Sequence, residues 1–185
     1  TDLGSADAKY TGEYDYDNAC WSLSAGDLTG DGQRDIAIGA YTSDEGGSDS
    51  GIVYIINANQ TGTVDLGSAD ATLVGERSGT YAGADVSVAD LNADGFDDIT
   101  IGAFGVSSSS GATYIVYGPV TGIVDLATAD AEIRGNGTSD YLGYAVAAGG
   151  DVDGDGVGDL IAGAQYADDN GGNSGTVYLF YGTGI

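Results

Sequence analysis

Three nine-residue stretches constrain this chain more than anything else in it. The fullest is Asp151-Val152-Asp153-Gly154-Asp155-Gly156-Val157-Gly158-Asp159, with carboxylates at its positions 1, 3, 5 and 9. Its position 7, Val157, can offer only a backbone carbonyl, and its glycines let the chain bend without Cβ clashes. The stretch recurs as Asp27-Leu28-Thr29-Gly30-Asp31-Gly32-Gln33-Arg34-Asp35 and as Asp90-Leu91-Asn92-Ala93-Asp94-Gly95-Phe96-Asp97-Asp98. The first residues of the three stretches are 63 and 61 positions apart, so each belongs to a repeating unit.

The units open alike, with Asp2-Leu3-Gly4-Ser5-Ala6-Asp7, Asp65-Leu66-Gly67-Ser68-Ala69-Asp70 and Asp125-Leu126-Ala127-Thr128-Ala129-Asp130. This divides the chain into repeats 1–63, 64–123 and 124–185. A short strand-like stretch follows near Lys9–Thr11, Thr72–Val74 and Glu132–Arg134, and then a run of small residues over Ser22–Ala25, Asp85–Ala89 and Tyr144–Ala148. The acidic loop leads into an apolar strand over Asp35–Ala40, Asp98–Ala103 and Asp159–Ala164. A polar loop then leads to a Tyr-rich strand over Gly51–Ile56, Ala112–Tyr117 and Thr176–Tyr181. Alternation, β-branched residues and glycine punctuation predict strands throughout, and no segment carries a helical period. Four short antiparallel strands in a unit of roughly sixty residues is the content of one propeller blade. The small-residue strand suits the crowded axis and the Tyr-rich strand the wider periphery.

An Asp-Gly pair alone predicts only a hairpin turn. Three copies with oxygen-bearing residues at the same positions predict a cage for a hard cation, since Ca²⁺ takes six to eight oxygens at about 2.3–2.6 Å. The candidate ligands are Asp27, Thr29, Asp31 and Asp35; Asp90, Asn92, Asp94 and Asp98; and Asp151, Asp153, Asp155 and Asp159. The position-7 residues Gln33, Phe96 and Val157 add backbone carbonyls. An EF-hand needs Glu at position 12 and flanking helices, whereas position 12 is Ile38, Ile101 or Ala162. Zinc is excluded by the absence of His and the single Cys. Position 3 is Asp153, Asn92 or Thr29, so the third loop is expected to bind most tightly and the first, which also carries Arg34, most weakly. Asp168, Asp169 and Asn170 form a further, less regular group of oxygens.

The chain carries 29 Asp and Glu against 4 Lys and Arg, a net charge of −25. Such a surface disfavours nucleic acid and anionic membranes as partners. The single Cys20 allows no intrachain disulfide, and no apolar run is long enough to span a bilayer. Without His, no Ser-His-Asp or Cys-His machinery is available, so the expectation is a non-enzymatic protein. The start at Thr1 without Met reads as a mature or excised piece.

The units resemble FG-GAP repeats, the blades of the integrin α-subunit propeller and of many bacterial surface proteins. The family's Gly-Ala-Pro appears as Gly39-Ala40-Tyr41, Gly102-Ala103-Phe104 and Gly163-Ala164-Gln165, and its Phe-Gly as Ala82-Gly83 and Leu142-Gly143. The first unit departs, with Ala19-Cys20 in place of Phe-Gly. The resemblance implies an all-β fold of three four-stranded antiparallel blades. It also implies a calcium-binding extracellular module, with one Ca²⁺ per repeat, for adhesion or protein–protein interaction. A structural subunit of a filament or surface layer, and a lectin, are the alternatives. Ligand-contacting loops would be Thr42–Ser50, Gly105–Ser110 and Tyr166–Ser174, while Trp21 is expected to pack between blades.

Propellers close with about four to eight blades, so three are too few. Tyr181-Gly182-Thr183-Gly184-Ile185 ends like Thr121-Gly122-Ile123, so Ile185 of one copy would run in phase into Thr1 of another. The expectation is a homodimer that exchanges outer strands to make six blades, or else a piece of a longer propeller or head-to-tail polymer.

Overall fold

The computed structural model describes residues 2–185; the expected joint through Thr1 falls outside the described residues. Fourteen strands run in chain order: β1 (Ala8–Thr11), β2 (Ser22–Gly26), β3 (Asp35–Ala40), β4 (Ile52–Asn57), β5 (Gly62–Asp65), β6 (Ala71–Val74), β7 (Ala82–Ala89), β8 (Asp98–Ala103), β9 (Ala112–Val116), β10 (Gly122–Asp125), β11 (Ala131–Arg134), β12 (Leu142–Gly150), β13 (Asp159–Ala164) and β14 (Thr176–Phe180). They form small sheets that are mostly antiparallel. The first is β2-β3-β4-β6, with β10 added parallel to β6; the second is β7-β8-β9-β11; the third is β12-β13-β14. β1 and β5 pair in parallel apart from these.

The fourth strand of a sheet does not come from its own repeat. β6 opens the second repeat yet pairs with β4 of the first, Ile52 opposite Val74 and Ile55 opposite Ala71. β11 opens the third repeat and pairs with β9 of the second. The expected four strands are therefore found in the first two sheets, whereas the third has three among the described residues. The parallel strands β5 and β10 escaped the sequence reading. Each is four residues long and mostly exposed, too short to show an alternation.

β2, β7 and β12 lie side by side, as their small residues require, and hydrogen bonds cross between sheets. The Ser22 hydroxyl donates to the Gly83 carbonyl at 2.8 Å. The Val146 N–H donates to Asp85 Oδ2 at 2.8 Å and the Ala148 N–H to Ser87 Oγ at 2.9 Å. The close approach explains the Gly-Ala motif. A Cβ on Gly39 would lie 2.3 Å from the Gly83 carbonyl oxygen, and one on Gly102 would lie 1.9 Å from that of Gly143.

The polar loops after β3 and β8 are not solvated linkers. Thr80 and Ala82 both donate to the Ser50 carbonyl, and Gly75 donates to that of Gly51. One repeat later, Leu142 and Gly135 make the same N–H contacts to Ser110 and Gly111. These loops splice each sheet to the next repeat, which is why Ser50 and Ser110 are buried.

Between the first two sheets, Ala37, Val53, Ile55 and Leu73 pack against Ile99, Ile101 and Tyr114. Leu91, Ile115 and Leu160 begin a second interface towards the third sheet. On the far face of the third sheet, Val177 is 70% exposed and Leu179 42%, whereas Val53 and Ile55, at the equivalent places in β4, are 0% exposed. Trp21 is not packed between sheets as expected. It is 59% exposed and leans on Tyr41 of its own sheet, with ring centroids 4.8 Å apart. Bulk explains this: the equivalent residue of the second repeat is Ala84, small enough to be buried where sheets meet.

Candidate metal centre

The three acidic loops join β2 to β3, β7 to β8 and β12 to β13, so each sits where the first strand of a sheet turns into the second. Their position-9 residues Asp35, Asp98 and Asp159 begin the apolar strand and are buried, while positions 4 to 6 are exposed. The buried carboxylate ties the loop to its base. Asp35 Oδ2 takes the Thr29 N–H, Asp98 Oδ2 the Leu91 N–H and Asp159 Oδ2 the Val152 N–H, at 2.8, 2.8 and 2.6 Å. The position-1 carboxylate reaches across the turn to the N–H of position 6: Gly32 to Asp27, Gly95 to Asp90 and Gly156 to Asp151, at 2.9–3.0 Å. Position 5 receives the N–H of position 7: Gln33 to Asp31, Phe96 to Asp94 and Val157 to Asp155, at 2.7–2.9 Å.

These bonds curl each loop tightly; in the third, Asp151 Oδ1 also accepts the N–H groups of Gly154 and Asp155. In the third loop, one oxygen each from Asp151, Asp153 and Asp159 lies within 4.8 Å of the other two. Among the described residues this is the one such group of three, and Asp155 is not part of it. In the other two loops the oxygens are not gathered so closely, but several are shut away from water without a partner. Asp27 Oδ1, Thr29 Oγ1, Asp35 Oδ1 and Asp90 Oδ1 are all in this state. A buried acceptor with no donor is costly, which is what a cation ligand looks like when its hydrogen bonds are counted alone. Burial pushes the carboxyls of Asp35 and Asp98 above the ordinary range against the opposing pull of loop N–H groups. The residues fit a hard divalent cation, and each ligand set would be drawn from one loop.

The loops differ in a way the acidic pattern does not announce. Asp98 Oδ1 takes a second N–H from Gly118 at 2.9 Å, and Asp159 Oδ1 takes one from Gly182 at 3.1 Å. Asp35 Oδ1 has none, and the equivalent residue is Ala58. A Cβ on Gly118 would lie 2.5 Å from the Asp97 carbonyl oxygen, so Ala58 cannot make the same approach. Asp97 was also invisible to the pattern, because position 8 is Arg34, Asp97 or Gly158. Its Oδ2 takes the Asp27 N–H at 2.8 Å and so joins the second loop to the first.

Other acids of the repeat are structural. Asp2, Asp65 and Asp125 cap short 3₁₀ turns. Asp70 and Asp130 accept the N–H of Asn57 and Tyr117, fastening each borrowed outer strand to its sheet. Asp168 and Asp169, named above as a further oxygen group, already accept from Asn173 N–H and the Thr176 hydroxyl, both at 2.6 Å.

Small antiparallel sheets in tandem, each with an acidic cage at its first turn, define a repeat protein of the cation-loop class. The chain is an FG-GAP repeat protein: the FG-GAP repeat family matches residues 21–56 and 142–180. It is related to phosphatidylinositol-glycan-specific phospholipase D and to integrin α chains. The rat phospholipase D is 33% identical over 189 residues, covering 97% of this chain and 22% of the relative. Integrin alpha pat-2 of Caenorhabditis elegans is 32% identical over 192 residues, covering 92% of this chain and 14% of the relative. Integrin alpha-5 of Xenopus laevis is 33% identical over 175 residues, covering 89% and 16%. The chain thus spans about a fifth or less of the length of these relatives. Among the described residues no helix is long and apolar enough to cross a membrane.

Proposed function

We propose that this chain is a Ca²⁺-loaded propeller module, extracellular or at a cell surface, that binds other proteins and has no catalytic activity of its own. The observation that carries the reading is the gathering of Asp151, Asp153 and Asp159 at the turn of a sheet, with buried partnerless oxygens at the two equivalent turns. One Ca²⁺ per loop would hold the first two strands of each sheet together and offset the repulsion among its carboxylates, so binding and folding are coupled. The integrin relatives favour a role in protein interaction; the phospholipase D relatives carry the name of an enzyme. The absence of His and the structural use of most repeated Asp residues favour the non-enzymatic reading. Calorimetry of the chelator-stripped chain tests it: at least three equivalents of Ca²⁺ bound, about one for each loop, with a melting temperature that rises by several degrees, is the expected result. No uptake of divalent metal would overturn it.

A second copy of the chain is the proposed first partner. The far face of the third sheet exposes Val177, Leu179 and Ile161, and among the described residues β14 has only β13 beside it. β1 is equivalent to β6 and β11, the two strands that complete the preceding sheets, and among the described residues it pairs only with β5. Placing β1 of one copy on β14 of the other, in both directions, would give six blades and leave no open edge.

A further inference from the structure

We infer that a fourth cation site lies outside the repeated loops, in a cavity of about 310 Å³ lined by Tyr14, Asp15, Asp17, Asp44 and Glu45. The ligands would be the carboxylates of Asp17, Asp44 and Glu45, and the ion a hard divalent cation of the Ca²⁺ type. Four of the five lining residues are acidic and none is basic. Of the four cations in the chain, Arg77 pairs with Glu76 and Arg134 with Glu132, Arg34 donates to the Ala25 carbonyl, and Lys9 is in β1.

A cluster of acids on a surface means little by itself. Here one member is different: Asp17 is only 6% exposed, and its Oδ2 is sealed from solvent with no hydrogen-bond partner. The Ser43 hydroxyl lies beside the carboxyl and eases its burial, but leaving Oδ2 unpaired near like charges on Asp44, Glu45 and Glu13 is unfavourable. The repeats give an internal control. Position 17 corresponds to Thr80: the preceding residues Tyr16 and Gly79 are both left-handed, with φ of 70° and 73°, as are the following Asn18 and Tyr81. Thr80 is equally buried but satisfied, donating its hydroxyl to the Ser50 and Arg77 carbonyls at 2.8 and 3.0 Å. An aspartate cannot donate such a bond when ionised. A cation is the group that would satisfy it instead.

The surroundings suit capture. The three carboxylates are not gathered as those of the third loop are; Asp44 and Glu45 are exposed and would turn towards Asp17 when the ion binds, Asp44 through the oxygen left free by the Asp49 N–H that its Oδ1 accepts at 2.8 Å. The Asn18 amide donates to the Thr42 hydroxyl at 2.8 Å and already bridges the two segments that carry the ligands. The third repeat offers Asp140, Asp168 and Asp169 in equivalent places, and Asp168 carries the same backbone bond as Asp44, but Asp140 is not buried and Asp169 accepts from the Thr176 hydroxyl.

The test counts Ca²⁺ by calorimetry on the full chain after chelator treatment. Asp17→Asn, a change of one atom, is expected to remove one equivalent and leave the others unchanged. The double variant Asp44→Asn, Glu45→Gln alters only exposed side chains and serves if Asp17→Asn does not fold; it is expected to lose the same equivalent. Asp151→Ala is run beside them and should remove a different equivalent, so an error about the repeated loops is told apart from an error about this cavity. An unchanged Ca²⁺ count in the Asp17 and Asp44/Glu45 variants overturns the inference. So does an Asp17→Asn chain that melts higher yet keeps its full count, because Asp17 would then be a buried neutral acid.

Discussion

Asp35, Asp98 and Asp159 occupy one position of the repeat, yet only two of them have both oxygens supplied with N–H donors from their own sheet. The difference traces to a methyl group on Ala58 where the others have glycine. Separately, Thr29 at position 3 supplies no carboxylate, so the first loop is expected to hold Ca²⁺ more weakly than the third, whose carboxylates are already drawn together. Titrating Ca²⁺ into Asp27→Ala and Asp151→Ala should show the tighter class of site disappearing only in the second; equal losses would refute the ranking. Other residues weigh on behaviour in alkali, the buried Tyr54 and Tyr114, each with its phenol pushed well above the ordinary value chiefly by burial. Tyr114 is 1% exposed, and burial first, then the charges of Glu76 and Glu132, push its phenol well above the ordinary tyrosine value. The folded chain keeps that proton while the unfolded chain releases it near pH 10. Stability from this source is whole below about pH 10 and falls above it by up to about 1.4 kcal/mol per pH unit. A denaturation series from pH 8 to 12, with Tyr114→Phe expected to flatten the decline, checks it.

At the scale of the element, the decisive contact is a glycine against a carbonyl. Gly102 of β8 meets the Gly143 carbonyl of β12 so closely that no side chain fits between them. Gly102→Ala is expected to part the second and third sheets and cost about 3 kcal/mol or more, in the range of a severe overpacking; urea unfolding of the variant measures it. The strands themselves were legible from residues alone. The apolar run Asp98–Ala103 and its two counterparts appear with unchanged ends, because each is bounded by a loop aspartate and a Gly-Ala pair. The loops were legible for the same reason, since their acids recur at fixed offsets. Asp17 and Asp97 were not: the equivalents of Asp97 are Arg34 and Gly158, and those of Asp17 are Thr80 and Asp140, which lie outside the acidic loops. Whether an isolated acid is buried beside a cavity depends on folding partners far away in sequence, and periodicity carries no trace of that.

At the scale of the whole molecule, Gly163 makes a useful probe. Its counterparts Gly39 and Gly102 are hemmed in by the next sheet, but a Cβ on Gly163 would meet nothing closer than 3.6 Å. In an isolated chain Gly163→Ala should therefore be nearly neutral for melting. If two copies close a ring, Gly163 of one would face the Cys20 carbonyl of the other, as Gly102 faces Gly143. The alanine should then abolish the dimer while leaving each chain folded, read by light scattering with and without the change. Cys20 sharpens the same test. It holds the left-handed conformation of Gly83 and Gly143, with φ of 70° against 83° and 80°, and its side chain would intrude on such a joint. Cys20→Gly is expected to tighten self-association, and a chain that is monomeric both unaltered and as Cys20→Gly would remove the dimer from consideration.

The loan of an outer strand from each repeat to the sheet before it has a consequence for how such chains grow. The seam in the sequence and the seam in the structure fall in different places, so every repeat arrives with one strand belonging to its neighbour. Inserting or deleting one complete repeat therefore reproduces a joint that already exists, whereas a cut made around a visible sheet would orphan a strand on both sides. Lineages can lengthen or shorten such arrays in whole steps, without inventing new ways for the pieces to meet.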